Sequence, residues 1–443
     1  MPKGRKKDAG KKPPVSPVAD VADDKSDAGT VISSGSDVHT INLDDGIGAD
    51  GTEDQAYAAG SIDLLEEKLK DAIENATDNS AKSREASLAE LCSGFERRLL
   101  YDFIAGREDT LADIVERSLH RGKTTEQVLA GRLASLIFVQ LGSDCGEFYG
   151  KIRNLLLTTH TNASVPAAAR SACAEVLSIG SFIADEEPET FSDTLRKLSK
   201  TFALSYFKGD KTAPQYPPEV TALHAQSLIA WCLLMSVASE SIAVDELNLH
   251  LRRLPELLES GDVDLRIAAG EAIALMKEIT RDVHMEKAKK PDVVSLCNRL
   301  RELATESTKH VAKKDKKQQR SSFRDILHSV EVSFQDDDGV FQRVRFGKEV
   351  LDLHTWRAKH QYQTFCNVLR TGMNFHLRMN SLIRQVFDLG EPILDDLMFS
   401  GSKKADKFHR QLQQSAMEKN RTMSRNMHRG NKQAGNANFD DDE

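Results

Sequence analysis

The residues of this 443-residue chain whose types and spacing could do chemistry are its cations. Lys313, Lys314, Lys316, Lys317 and Arg320 crowd together, with Lys309 just before them and Arg324 just after. A second group, Arg343, Arg345, Arg357, Lys359 and Arg370, is interleaved with Phe341, Phe346, Trp356, Tyr362 and Phe365. A third runs from Lys403, Lys404, Lys407 and Arg410 to Arg421, Arg425 and Arg429; the last three stand four apart, so a helix would carry them as one stripe. Lysine and arginine neutralise phosphates and gain from counterion release, while aromatic rings and guanidinium planes stack on exposed bases. The chemistry to expect is therefore capture of a polyanion, RNA above all. Two blander readings stand beside it. The aromatics can form a small core that the charges merely solvate, and the run from Lys309 to Arg320 can be a localisation signal or a solvated linker.

Reaction chemistry finds no comparable pattern. No P-loop, no G-x-G-x-x-G after a strand, no H-E-x-x-H and no G-x-S-x-G occurs. His354, His360, His376 and Cys366 do not share a helical face and no carboxylate completes a set, so neither a metal nor a cofactor is expected. Paired acids such as Glu66-Glu67, Glu186-Glu187 and Asp395-Asp396 read as solvated faces rather than an acid/base pair. The six cysteines are scattered singly, which argues against a zinc ribbon or disulfide scaffold and suits a reducing compartment. The longest apolar stretch, 227–238, falls short of the roughly 20 residues a bilayer demands, and no apolar segment follows the basic start at 3–7. No membrane and no small-molecule substrate is expected.

The net charge of −8 would speak against nucleic acid, but it is unevenly divided. Residues 1–60 hold 7 basic and 11 acidic side chains, and residues 61–304 hold 29 and 38. Residues 305–443 hold 24 and 19, and four of those acids are the closing Asp440, Asp441, Asp442 and Glu443. An acidic body is thus joined to a basic, aromatic-rich end.

These cations need elements to position them. Residues 1–60 lack any sustained hydrophobic period and read as a disordered tail. From residue 61 the pattern is helical: Ile62, Leu65, Leu69 and Ile73 form one stripe, and Leu88, Leu91, Phe95 and Leu99 another. Further helices follow near 110–122, 124–137, 146–158, 165–179, 188–204, 219–238, 250–259, 263–283 and 291–307. Thr110 suits a cap, and Thr124 with Gln127 fits a capping box. A local pattern recurs within this run. Arg170-Ser171-Ala172-Cys173-Ala174-Glu175-Val176-Leu177 resembles Arg266-Ile267-Ala268-Ala269-Gly270-Glu271-Ala272-Ile273, with weaker copies at Arg84-Glu85-Ala86 and Arg132-Leu133-Ala134. The spacings are close to those of armadillo and HEAT repeats. Residues 61–304 therefore read as an armadillo/HEAT-like α-solenoid, the alternative being a non-repetitive helical domain. Solenoids mostly present surfaces to partners.

Residues 305–322 read as a basic linker. Val330, Val332 and Phe334 then alternate with polar neighbours, Asp336, Asp337, Asp338 and Gly339 supply a turn, and Phe341, Val344 and Phe346 alternate again. This predicts a β-hairpin with a charged face. Residues 350–353 offer a third strand, and helices over about 355–371 and 374–388 end at Gly372 and Gly390. The sum is a small α+β domain over 323–400. After it, 401–443 holds a basic helix and an acidic tip.

Lys316-Lys317-Gln318-Gln319-Arg320-Ser321-Ser322-Phe323-Arg324-Asp325 and the hairpin resemble the interferon-related developmental regulator family. So do Leu353-His354-Thr355-Trp356-Arg357 and Leu369-Arg370-Thr371-Gly372-Met373. In the solenoid, Thr110-Leu111-Ala112-Asp113, Arg121-Gly122 and Gln140-Leu141-Gly142 also look like that family. The resemblance spans roughly 60–400, with little from the tails. It implies non-enzymatic regulation: members are described both as transcriptional co-regulators working through deacetylase-containing complexes and as factors that hold translationally inactive ribosomes. It also associates the terminal helix with channels in ribosomal RNA. The partners to expect are the ribosome and its RNA, or nuclear co-repressor proteins. The location is cytoplasmic, with a nuclear pool under the second reading.

Overall fold

The computed structural model describes residues 39–42, 60–184, 187–283, 292–305, 313–331 and 342–393, all within one compact unit that begins at Val38. The expected terminal helix over 402–430, the turn at 336–339 and most of the amino-terminal tail lie outside the described residues.

Helices build the body, and they fall into two rows. The first row comprises α1 (Gly60–Asn75), α4 (Glu108–Arg121), α6 (Gly146–Thr161), α8 (Pro188–Phe202) and α12 (Val293–Thr305). The second comprises α2 (Ala81–Arg97), α5 (Thr124–Leu141), α7 (Ala167–Ala184), α9 (Pro218–Met235), α11 (Val263–Asp282) and α13 (Lys313–Glu331). Each second-row helix packs on the next, and first-row helices lie against them. Short α3 (Tyr101–Ala105) and α10 (Glu240–His250), with a 3-10 segment at Leu254–Glu259, fill the connections. The structure is an α-solenoid. α5 and α7 lie in stretches apolar enough to cross a membrane by composition, Thr124–Thr161 and Ala167–Ala184, but much of that surface is packed inside the body.

The recurring arginine motif falls on the second row every time: Arg84 in α2, Arg132 in α5, Arg170 in α7, Arg266 in α11. Three of these sit at the fourth residue of their helix and donate backwards. Arg84 reaches the carbonyls of Asp78 and Asn79, Arg170 that of His160, and Arg266 that of Ser260. Such bonds satisfy carbonyls left over where the chain turns between helices. The motif glycine serves close approach: a Cβ on Gly270 would stand 2.8 Å from Ile326 and 2.9 Å from Phe323 of α13.

The carboxy-terminal part departs from expectation in two places. The stretch read as a linker enters a helix at Lys313, and that helix continues through Val330, read as strand, to Glu331. Phe323, Ile326 and Val330 are all buried and are spaced as one helical stripe. The expected second strand and the third strand offered at 350–353 pair with each other: β2 (Gln342–Phe346) runs antiparallel to β3 (Glu349–Leu353) around Gly347 and Lys348, and residues 332–341 lie outside the described residues. Gly347 has φ +54, the left-handed conformation that a two-residue hairpin turn demands. The tail supplies the third strand, as β1 (His39–Asn42) pairs parallel with β2.

After the sheet, α14 (Trp356–Leu369) leads through a 3-10 turn (Arg370–Gly372) into α15 (Met373–Met379) and α16 (Ser381–Val386). The helix expected as one piece over 374–388 is broken at Asn380, which is extended and caps α16 by accepting from the amides of Leu382 and Ile383. α14 crosses the second row, packing on α2, α5, α9 and α11, and meeting α7 where Phe365 stands edge-on to Phe182 at 6.0 Å. Five helices at about 8–10 Å spacing would span about 32–40 Å if laid flat. From Trp356 to Thr371 the chain covers only about 23 Å at helical rise. α14 nonetheless reaches helices toward both ends of the row. The buried core has two clusters: Tyr362, Phe365, Val368 and Leu369 belong to the one built on α1 to α7, and Trp356 to the one built chiefly on α8 to α13. One helix ties both halves together.

Candidate nucleic-acid interface

Two carboxylates of the solenoid hold the two ends of α14. Glu278, 5% exposed on α11, accepts from the amides of Trp356 at 2.7 Å and Arg357 at 3.4 Å, satisfying orphan donors of the helix N-terminus. Burial pushes its carboxyl up from the usual range, and those two amides and the Arg357 guanidinium pull it back down. Glu96, near the end of α2, accepts from the amide of Thr371 at 3.1 Å and from its hydroxyl at 2.7 Å. Arg132 donates to the other oxygen of Glu96, and the Glu96 carbonyl meets His376 Nε2 at 3.0 Å. Gly372 is forced at this junction, because a Cβ there would lie 1.9 Å from that carbonyl. The Leu369–Met373 and Leu353–Arg357 motifs thus serve docking.

The expected RNA-contacting cations separate on this frame. Arg357 donates to Asp282 at 2.7 Å, and Lys359 lies 4.1 Å from the centre of the Trp356 ring and 3.7 Å from Glu271. Arg343 makes a two-pronged pair with Asp352 directly across the hairpin, at 2.7 and 2.9 Å, and holds that carboxyl below its usual range. These three charges are engaged within the molecule. Arg345, on the outer face of β2, and Arg324 on α13 are exposed, and Arg320 is half-buried. Lys313, Lys314, Lys316 and Lys317 occupy the first turns of α13, but the placement of their side chains lies outside what is described. Lys403, Lys404, Lys407, Arg410, Arg421, Arg425 and Arg429 also lie outside the described residues. The aromatics follow the bland reading: Phe346, Trp356, Tyr362 and Phe365 are all core.

Of the histidines near this region, His360 and His376 are packed, while His354 is exposed. His376 is fully buried between Glu96 and Asn380, and burial lowers its pKa to about 4. Among the described residues no group of three or more His, Cys, Asp or Glu is placed to hold a metal ion.

Arg384 was not singled out in the sequence. It is 3% exposed and donates to both oxygens of Glu349, at 2.9 and 2.7 Å, and to the carbonyls of Leu377, Leu389, Gly390 and Glu391. It binds the hairpin to α16. Its only sequence signal is a lone cation between Ile383 and Val386.

Fold and surface together define an α-solenoid closed along one row by its own carboxy-terminal helix, with a basic stretch beyond it. A family profile described as interferon-related developmental regulator matches residues 29–331, and one described as interferon-related protein conserved region matches 380–433. Interferon-related developmental regulator 1 from Homo sapiens is 38% identical over 368 residues, 83% of this chain and 80% of that one. Interferon-related developmental regulator 2 from Mus musculus is 35% identical over 388 residues, 87% and 86%. The chain belongs to the interferon-related developmental regulator family. Among solved structures, an engineered protein covers 59% of this chain and 97% of its own, with 13% identity and a TM-score of 0.37. The second profile reaches well past residue 400, so the basic stretch takes part in the family match that the sequence motifs placed within 60–400.

Proposed function

We propose that this protein is a non-catalytic regulator that binds the ribosome through ribosomal RNA and represses translation by occupying space that substrates need. The observation carrying this reading is the division of charge: residues 305–443 hold 24 basic side chains against 19 acidic, four of the acids forming the closing tip. Lys403 to Arg429 carry eight of those basic side chains, and the second family profile spans them. The solenoid acts as a rigid platform, stiffened by α14, that carries this basic end. Counterion release on phosphate contact supplies the affinity, so binding weakens steeply with salt.

Sedimentation through a sucrose gradient tests the reading. The full chain is expected to travel with ribosomal particles at physiological salt, and a chain ending at residue 400 is expected to stay higher. A full chain that remains at the top sinks the proposal. In that case the alternative is a nuclear co-regulator whose solenoid holds deacetylase-containing complexes. That alternative predicts nuclear residence dependent on Lys313, Lys314, Lys316 and Lys317.

A further inference from the structure

The strand and α14 arginines suggested by sequence are largely engaged, but the junction at the other end of α14 gathers cations that no sequence window contains. Arg97 and Arg98 close α2 one and two residues after Glu96. Because Glu96 grips Thr371, Arg370 stands beside them. The Arg98 guanidinium lies 5.6 Å from the centre of the half-buried Phe375 ring. Arg378 is three residues beyond Phe375, on the same face of α15, and its side chain approaches Gly347, next to Lys348. Arg370, Arg97, Arg98, Phe375, Arg378 and Lys348 are thus gathered around one junction. Two carboxylates are near this junction: Glu96 is bound to Arg132, and Arg370 and Arg132 draw the half-buried Glu175 carboxyl back toward its charged form.

A second, independent observation points to the same place. Arg370 has φ +46 and ψ −116, a backbone conformation suited to glycine. Strain of this kind costs on the order of 1–3 kcal/mol and collects at functional positions. Arg97 and Arg370 are exposed, and neither is paired with a carboxylate among the described residues.

We infer that this junction is an RNA-binding surface of the folded body, with Arg97 and Arg370 meeting phosphates and the Arg98–Phe375 pair offering a stacking platform for a base. The inference rests on the RNA reading above and assigns it a surface separate from the terminal stretch. Several planar donors around an aromatic ring suit a single strand or loop, whose phosphates and bases are both open.

The test uses the full chain and a fluorescent single-stranded oligouridine, titrated at several salt concentrations. Reversing both charges, Arg97→Glu with Arg370→Glu, is expected to weaken binding at least about tenfold. It should also flatten the salt slope by about 1.4, the share of two phosphate contacts on a single strand. Arg370→Gly should weaken binding while raising the Tm by on the order of 1 °C through relief of strain. Double-variant binding within twofold of the unaltered chain, with the same slope, overturns the inference and leaves the terminal stretch as the RNA site. An unaltered chain that binds no RNA at low salt overturns the underlying reading instead. If the variant loses an oligoglutamate probe but keeps RNA, the surface serves acidic proteins and the inference also falls.

Discussion

Two populations of cations share the carboxy-terminal third, and composition does not distinguish them. Arg384, Arg357, Lys359 and Arg343 face carboxylates of known position: Glu349, Asp282, Glu271 and Asp352. Arg324, Arg345 and Arg370 are turned outward. The first population fastens the module together and onto the solenoid; the second leaves charge for a partner. A basic segment is thus not a basic surface until its carboxylates are located, and here the farthest, Glu271, lies 88 residues before Lys359 in sequence.

The contrast breaks most sharply at Arg384. Arg384→Ala leaves the half-buried Glu349 without its partner and strands four carbonyls, which should cost about 3 kcal/mol in chemical denaturation. RNA affinity of the molecules that remain folded should be unchanged. A loss below about 1 kcal/mol would show that the fastening population is not what holds the module.

Acid tests the same contrast, because arginines do not titrate while the packing histidines do. Burial lowers His160, His224 and His376 to about 4. With an unfolded value near 6.5, the unfolded chain binds more protons between those limits, so stability falls as pH drops below about 6.5. Each histidine should cost about 1 kcal/mol by about pH 5.5. The buried Glu278 and half-buried Glu175, with raised values, act in the opposite sense and offset part of this. The Tm should therefore fall from neutral pH to about 5.5, and a flat profile would contradict the packing described.

Arg357→Ala should cost about 0.5–1 kcal/mol, since its pair with Asp282 is partly exposed and screened. The smallest change in stability, within about 0.5 kcal/mol, belongs to Arg324→Glu with Arg345→Glu. That double variant should nonetheless lower RNA affinity, as read by fluorescence anisotropy. A variant that unfolds the protein would move these two arginines into the fastening population.

What the sequence made legible is what is local. Helical stripes, the recurring arginine motif and the charge division all lie within short windows, and helix limits such as Pro188–Phe202 and Val263–Asp282 came out close to expectation. The strands expected around Val344 and over 350–353 are present, but Val330, read as the start of a strand, ends a helix whose own stripe, Phe323, Ile326 and Val330, carried the stronger signal. The capping box at Thr124 also misled: Gln127 turns inward to the carbonyl of Leu119. The junction of Glu96 with Thr371 was invisible, because it joins residues 275 apart that share no pattern. Arg370 looked like an ordinary helix-end cation, since only its backbone angle sets it apart.

That separation has a consequence for how the chain is made. Synthesis runs from the amino terminus, so nearly every helix of both rows exists before α14 emerges. Until residue 372 is available, Glu96 and Glu278 have no helix to grip and the apolar surface that α14 covers is open to water. Contacts so distant in sequence form late, and a half-built solenoid with an open apolar face is prone to wrong associations. A nascent chain stalled before residue 356 is therefore the form most in need of chaperone protection, and α14 is the segment whose arrival ends that need.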